Sequence, residues 1–117
     1  MKKTVVHVFH DDEDALTLGT RVPQRIAEVA AENDVAVEVF VFGPAQRHLS
    51  VSQTDADAQF NRQIDELISA GVRVGACVNA ARTAGVEDDL GRRGIMLSVA
   101  RDEFLRFTLE GATVISF

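Results

Sequence analysis

The chain has one cysteine, no tryptophan and no tyrosine, and among its twelve basic residues only Lys2 and Lys3 are lysines. Each scarcity closes off a class of function. A single thiol, Cys77, rules out an internal disulfide and any C-x-x-C redox or zinc motif, and it is easiest to keep unpaired in a reducing cytosol. Seven phenylalanines are the only aromatics, which leaves no platform for stacking bases or sugars. The net charge of −6 and a pI near 4.9 oppose binding to nucleic acid or to an anionic membrane surface. An acidic excess with little lysine is also what a salt-adapted surface looks like, although a GC-rich genome produces the same bias.

Long apolar runs are missing too. No stretch approaches the ~18 residues of a membrane span. The opening "MKKTVVHVFH" starts as a secretory leader would, but it is broken by His7 and runs into "DDED". These absences lead to the expectation of a cytoplasmic protein without membrane or direct nucleic-acid partners. The 117 residues, 46% of them apolar, suit a single domain, 1–117, with one proper core.

What is present is an alternation of short apolar and longer amphipathic segments. Strands are expected at 4–10, 35–42, 72–78, 95–99 and 112–117, each rich in β-branched residues. Between the first two, Ala15, Leu18, Val22, Ile26, Val29 and Ala30 recur at spacings of three and four, a helical stripe in which Pro23 predicts a kink or a broken first turn. Residues 44–54 read as the longest loop. A second helix carries Ala56, Phe60, Ile64, Leu67 and Ile68 on one face, with Thr54 or Asp55 as its cap. One or two short helical turns follow the third strand, and "RDEFLRFTLE" forms the last helix. Strands alternating with helices imply an α/β fold: a three-layer α/β/α sandwich on a mostly parallel five-stranded sheet, Rossmann- or flavodoxin-like.

Ligands of such sheets gather beyond the C-terminal strand ends. That rim carries His10 and the acidic run, the 44–54 loop, Cys77 with Asn79, and Ser98. A thiol ahead of a helix start faces backbone N–H groups, which favour the reactive thiolate. The opposing reading is that Cys77 is a small buried hydrophobe beside Ala76 and Val78. His10 and His48 are candidates for a general base or orienting group near the thiol. His7, three residues from His10 and on the opposite strand face, reads as a satisfied core histidine. No metal pair follows from that spacing.

Other site chemistries fail on the residues. Paired acids after the first strand suggest a phospho-receiver, but Cys77 stands where its accepting aspartate belongs and no lysine closes the fifth strand. "DDED" is better explained as helix-start acids. Neither G-x-G-x-x-G after the first strand nor G-x-x-x-x-G-K-[ST] is present, so no nucleotide cofactor is expected. "GRRG" (91–94) is a turn whose two arginines either hold an anion or are merely solvated.

Taken together, "VVHVFHDDEDA", the strand ending "VFGPA", "LISAGVRVGACVNAAR" and the closing "GIMLSVARDEFLRFTLEGATVISF" resemble the DsrE/DsrF-like family, which includes YchN-like proteins and sulfur-relay subunits. The most specific part is A-C-x-N, Ala76 to Asn79. The sequence departs from the family at Val78, where a glycine is frequent, and after Gly111, where Ala112 replaces an aromatic. The resemblance implies a persulfide carried on Cys77, and it implies partner proteins that donate and accept sulfur. It also implies a homo-oligomer, trimer or hexamer, in which Phe107, beside the Phe104/Leu105 face, is a candidate subunit contact. Asn79 then serves as helix cap or polar orienter, with His10 and His48 as secondary site residues and no cofactor or metal. Two rivals stand beside the sulfurtransferase reading. One is a non-catalytic assembly or small-ligand-binding module with a structural cysteine; the other is a metal site built from His10, His48 and Cys77.

Overall fold

The computed structural model describes residues 1–50 and 53–117. In chain order it runs β1 (Lys2–Val8), α1 (Glu13–Ala30), β2 (Val35–Val41), a 3-10 helix (Gly43–Ser50), α2 (Asp55–Ser69) and β3 (Arg73–Cys77). Then come α3 (Val78–Thr83), α4 (Glu87–Arg92), β4 (Met96–Ser98), α5 (Ala100–Leu109) and β5 (Thr113–Ser116). All four ladders are parallel and the strand order is β4-β3-β2-β1-β5. The first three crossovers move in one direction across the sheet. Right-handedness therefore puts their helices on one face, and the long return from β4 to β5 puts α5 on the other. The expected three-layer sandwich is present.

The two faces differ in what fills them. Val6, Val8, Val39, Val41, Val74 and Ala76 point to the α1/α2 side, where Leu16, Phe60, Ile64, Leu67, Ala81 and Leu90 close the larger core. The opposite face holds a smaller cluster of Val5, Phe40, Cys77, Ala100 and Phe107, covered by α5. Phe107, expected at a subunit contact, is 2% exposed within this cluster, whereas Leu105 is 56% exposed. The apolar stripe of α5 runs through Ala100, Phe104 and Phe107, with Glu103 among them, so Leu105 lies off it.

Helix α1 corrects two further expectations. It continues unbroken past Pro23, and its buried residues are Ala15, Leu16, Gly19, Thr20, Pro23 and Ala30; of the expected stripe Ala15 and Ala30 are buried, while Leu18 and Val29 are exposed. Gly19 sets that phase: a Cβ there would stand 2.8 Å from Val8 Cγ2, so the helix lies on β1 through its smallest residue. Asp12 caps α1 by accepting from the Ala15 N–H at 3.1 Å, in keeping with the helix-start reading of the acidic run. Thr54 caps α2 in the same way, accepting from Asp57 at 3.1 Å.

The expected 44–54 loop is mostly helical, its 43–50 part forming the 3-10 helix; Val51 and Ser52 lie outside the described residues. Tertiary bonds hold this piece. Ala45 N–H donates to Phe9 O at 2.9 Å, Asn61 Nδ2 to His48 O at 2.8 Å and Arg93 Nη1 to Leu49 O at 2.6 Å. Arg93 also reaches Asp65 at 3.0 Å, and Arg92 pairs with Asp89, so both arginines of "GRRG" have protein partners.

Candidate functional site

Strand β3 ends in Cys77, whose backbone is extended (φ −73°, ψ 124°) and forms the N-cap of α3. The strand pleat sends alternate residues to alternate faces, so Cys77 shares the α5 side with Gly75 and, across the ladder, with its partner Ser98. Its side chain is 6% exposed and makes no capping hydrogen bond. Asn79 lies in the first turn of α3, exposed; the cap position belongs to Cys77, not to Asn79.

The backbone of Cys77 is gripped by a side chain. The last residue that β2 pairs with β3 is Val41, opposite Ala76, and the chain then leaves the sheet at Gly43, which has φ +64°. At Cys77 the carboxamide of buried Gln46 takes over. Cys77 N–H donates to Gln46 Oε1 at 3.0 Å, and Gln46 Nε2 donates to Cys77 O at 2.8 Å. Swapping the amide's two ends would set donor against donor and acceptor against acceptor, so the orientation is determined.

The histidines do not gather around the thiol. His48 Nδ1 lies 2.7 Å from Asp57 Oδ1 and its Nε2 lies 3.2 Å from Asp11 Oδ2. Burial works against charge on the ring, but the bonds the ring makes to the Asp57 and then the Asp11 carboxylates outweigh it and raise its pKa above the usual histidine value. With both ring nitrogens facing carboxylates, His48 ties the 43–50 helix to α2 and to the β1–α1 turn. His10 is exposed beyond β1, and its backbone donates to Phe117 O at 3.2 Å, on the β5 side of β1 and away from β3. His7 is only half satisfied. Its Nδ1 meets Ser116 Oγ at 3.2 Å, while Nε2 is buried without a protein partner among the described residues. Burial, and then the nearby His10, lower its pKa. Among the described residues no three His, Cys, Asp or Glu side chains converge as a metal site would require, and His10, His48 and Cys77 are not brought together.

With that geometry in hand, the likenesses are informative. The model of the DsrE/DsrF-like family matches residues 3–117. The chain belongs to this family. Solved structures agree on the fold. A conserved Bacteroides thetaiotaomicron protein of unknown function superposes with a TM-score of 0.78 at 15% identity, over 99% of this chain and 95% of that one. The YchN protein from E. coli superposes with a TM-score of 0.67 at 18% identity, over the whole of both chains. No curated sequence matches. Among the described residues, no helix of this DsrE/DsrF-like chain is long and apolar enough to cross a membrane.

Two features of the DsrE/DsrF-like chain escaped the sequence reading. One is Gln46, 31 positions from Cys77 and without any local signal. The other is a charge network under α5. Glu38 meets Arg106 at 2.7 Å, Lys3 in a shorter contact and Arg73 at 3.5 Å; Glu103 meets Arg106 at 2.7 Å and Arg73 at 3.3 Å. Burial pushes the Glu38 carboxyl up, but its bonds from Arg106 and Lys3 outweigh this and hold it below the usual range. A signal was available: Glu38 and Arg73 are single charges on the α5 face of otherwise apolar strands.

Proposed function

We propose that this chain is a sulfur carrier, a sulfurtransferase-like protein that relays persulfide sulfur on Cys77 between partner proteins. The observation that carries the reading is that the one thiol of a DsrE/DsrF-like chain sits in A-C-x-N at the C-terminal end of β3, on the rim where parallel sheets hold their ligands. The chemistry needs one sulfur and nothing else. Cys77 thiolate attacks the outer sulfur of a donor persulfide; a new S–S bond forms on Cys77, the donor's S–S bond breaks, and the donor leaves as thiolate. An acceptor thiolate takes the same sulfur by the reverse step. No oxidant is consumed, and with no second cysteine in the chain the persulfide cannot resolve internally to a disulfide. Asn79, exposed two residues on, is the polar group we assign to the approach of the donor. His48 is engaged by its carboxylates, and neither it nor His10 is given a part in the step.

The family resemblance extends the proposal to a homo-oligomer, trimer or hexamer, and the single unpaired thiol extends it to a reducing cytoplasm. One observation favours the rival reading of a structural cysteine in a non-catalytic module: the thiol is 6% exposed among Val5, Phe40, Ala100 and Phe107. Intact mass after incubation with glutathione persulfide decides between them. A carrier gains one sulfur, and Cys77→Ser gains none. A packing cysteine gains nothing and is alkylated only after denaturation.

A further inference from the structure

We propose that Gln46 is the positioning residue for the Cys77 thiol. The inference rests on the carrier reading, and its geometry is that of a side-chain amide doing the work of a strand. Both peptide groups that flank the Cys77 Cα are held by one carboxamide, N–H to Oε1 at 3.0 Å and O to Nε2 at 2.8 Å. Fixing the two peptide planes on either side of a Cα fixes the direction of its Cα–Cβ bond, and so limits Sγ to the staggered positions around that bond.

Gln46 is itself held. It is 6% exposed, and its 3-10 helix is tied down by Ala45 to Phe9 O, His48 to Asp57 and Asp11, and Arg93 to Leu49 O. The element that the sequence presents as a polar loop is therefore a rigid arm whose tip reaches the end of β3. Burying a glutamine needs partners for its amide, and here they are the peptide groups of the reactive residue. A mostly apolar crevice whose lining includes Gly43, Gln46, Arg47, Ser50, Ala80 and Leu90 runs along the same arm, and the Gln46 amide bonds seen among the described residues are the two to the Cys77 backbone.

The test uses two variants of the full chain. Gln46→Met keeps the length and removes both bonds. Gln46→Glu keeps the acceptor, loses the donor and sets a negative charge beside the site. For each, folding is checked by far-UV circular dichroism and urea midpoint, sulfur gain from glutathione persulfide is followed by intact mass, and Cys77 alkylation is measured against pH. In the folded fraction both variants should load sulfur about tenfold to a hundredfold more slowly, the penalty of a misdirected nucleophile. The alkylation profile of Gln46→Glu should move to higher pH by about one unit, as a like charge near a thiolate requires. Its loading relative to Gln46→Met should recover toward about pH 5, where a protonated carboxyl again offers a donor and an acceptor. A lower urea midpoint with loading per folded molecule and pH profile both unchanged would overturn the proposal and leave Gln46 a packing residue. If Gln46→Met does not fold, the same pH comparison of Gln46→Glu with the wild type decides. Wild-type protein that takes up no sulfur would sink the carrier reading, while the alkylation profiles would still report whether Gln46 directs the thiol.

Discussion

Replacing Arg106 with leucine tests the charge network beneath α5. The guanidinium bonds Glu38 at 2.7 Å and Glu103 at 2.7 Å, and the side chains of these two carboxylates are only 9% and 7% exposed. Removing one partner of a buried pair costs about 3–5 kcal/mol, because the stranded charge has lost its water as well. Here the loss falls at the lower end, about 3 kcal/mol, since Glu38 keeps Lys3 and Arg73, and Glu103 keeps Arg73. Leucine also removes the guanidinium that stands over the Phe107 ring, 5.1 Å from its centroid, a smaller loss. For a chain of this size the melting temperature should fall by roughly 10 °C. Far-UV circular dichroism is the readout, because no tryptophan or tyrosine is present to report by fluorescence.

The pH dependence of Arg106→Leu sharpens the test. Arg106 is the leading cause that holds Glu103 below the usual carboxylate range, and it is the strongest of the bonds that outweigh burial at Glu38. Groups whose folded pKa is depressed contribute stability above their unfolded value near 4.5, and the contribution is lost as pH falls through the folded value. In the variant the lowering by Arg106 is gone and both carboxyls protonate at higher pH than in the wild type, so the gap to wild type should narrow toward about pH 4. A cost under about 1 kcal/mol at pH 7, the range of exposed pairs, or a cost that does not change with pH, refutes the network's role.

Two further outcomes follow from local geometry. Gly19→Ala should destabilise by about 1–3 kcal/mol in urea unfolding, because the collision with Val8 outweighs the ~1 kcal/mol gained in helix propensity; a neutral or stabilised variant would show that α1 can lift off β1 freely. In a proton NMR titration of the histidine rings, His48 should titrate above 6.5 and His7 below it. The part of the stability that comes from His48 is then complete below pH 6.5 and lost as pH rises through its folded value, whereas the His7 contribution is lost as pH falls. The reverse order of the two rings would contradict both environments.

The strands were legible because β-branched runs and glycine or proline breaks are local facts. The start of α1 at the acidic run and a cap for α2 at Thr54 or Asp55 were legible for the same reason. The core face of α1 was legible at Ala15 and Ala30 and misread in between, where the contact residues include Gly19 and Thr20, which no hydrophobic count selects. In α5 the true stripe contains Glu103, a charge that masks the period from Ala100 to Phe107. The 43–50 helix was read as loop because its stability comes from Phe9, Asn61 and Arg93, in other segments. The place of Cys77 at a strand end was visible in "VRVGACV"; its companion Gln46 was not, since the pair is joined across 31 residues by backbone bonds that leave no pattern in either segment. His10 and His48 were candidates by rim position alone; the ring of His48 turned out to be held by Asp57 and Asp11, and His10 to lie on the β5 side, away from the thiol.

The strand order also has a kinetic consequence. β2, β3 and β4 can each dock on the strand before them, so one flank of the sheet can assemble in chain order with short loops to close. β5 instead has to return to β1, joining residues such as His7 and Ser116 that are 109 positions apart. Until it does, the face that α5 covers stays bare, with Phe40 and Glu38 open to water. Long-range pairings of this kind are slow to form and leave aggregation-prone surface exposed meanwhile. Completion of the domain, and shielding of the surface around Cys77, should therefore come in one late step: the docking of the last helix and strand.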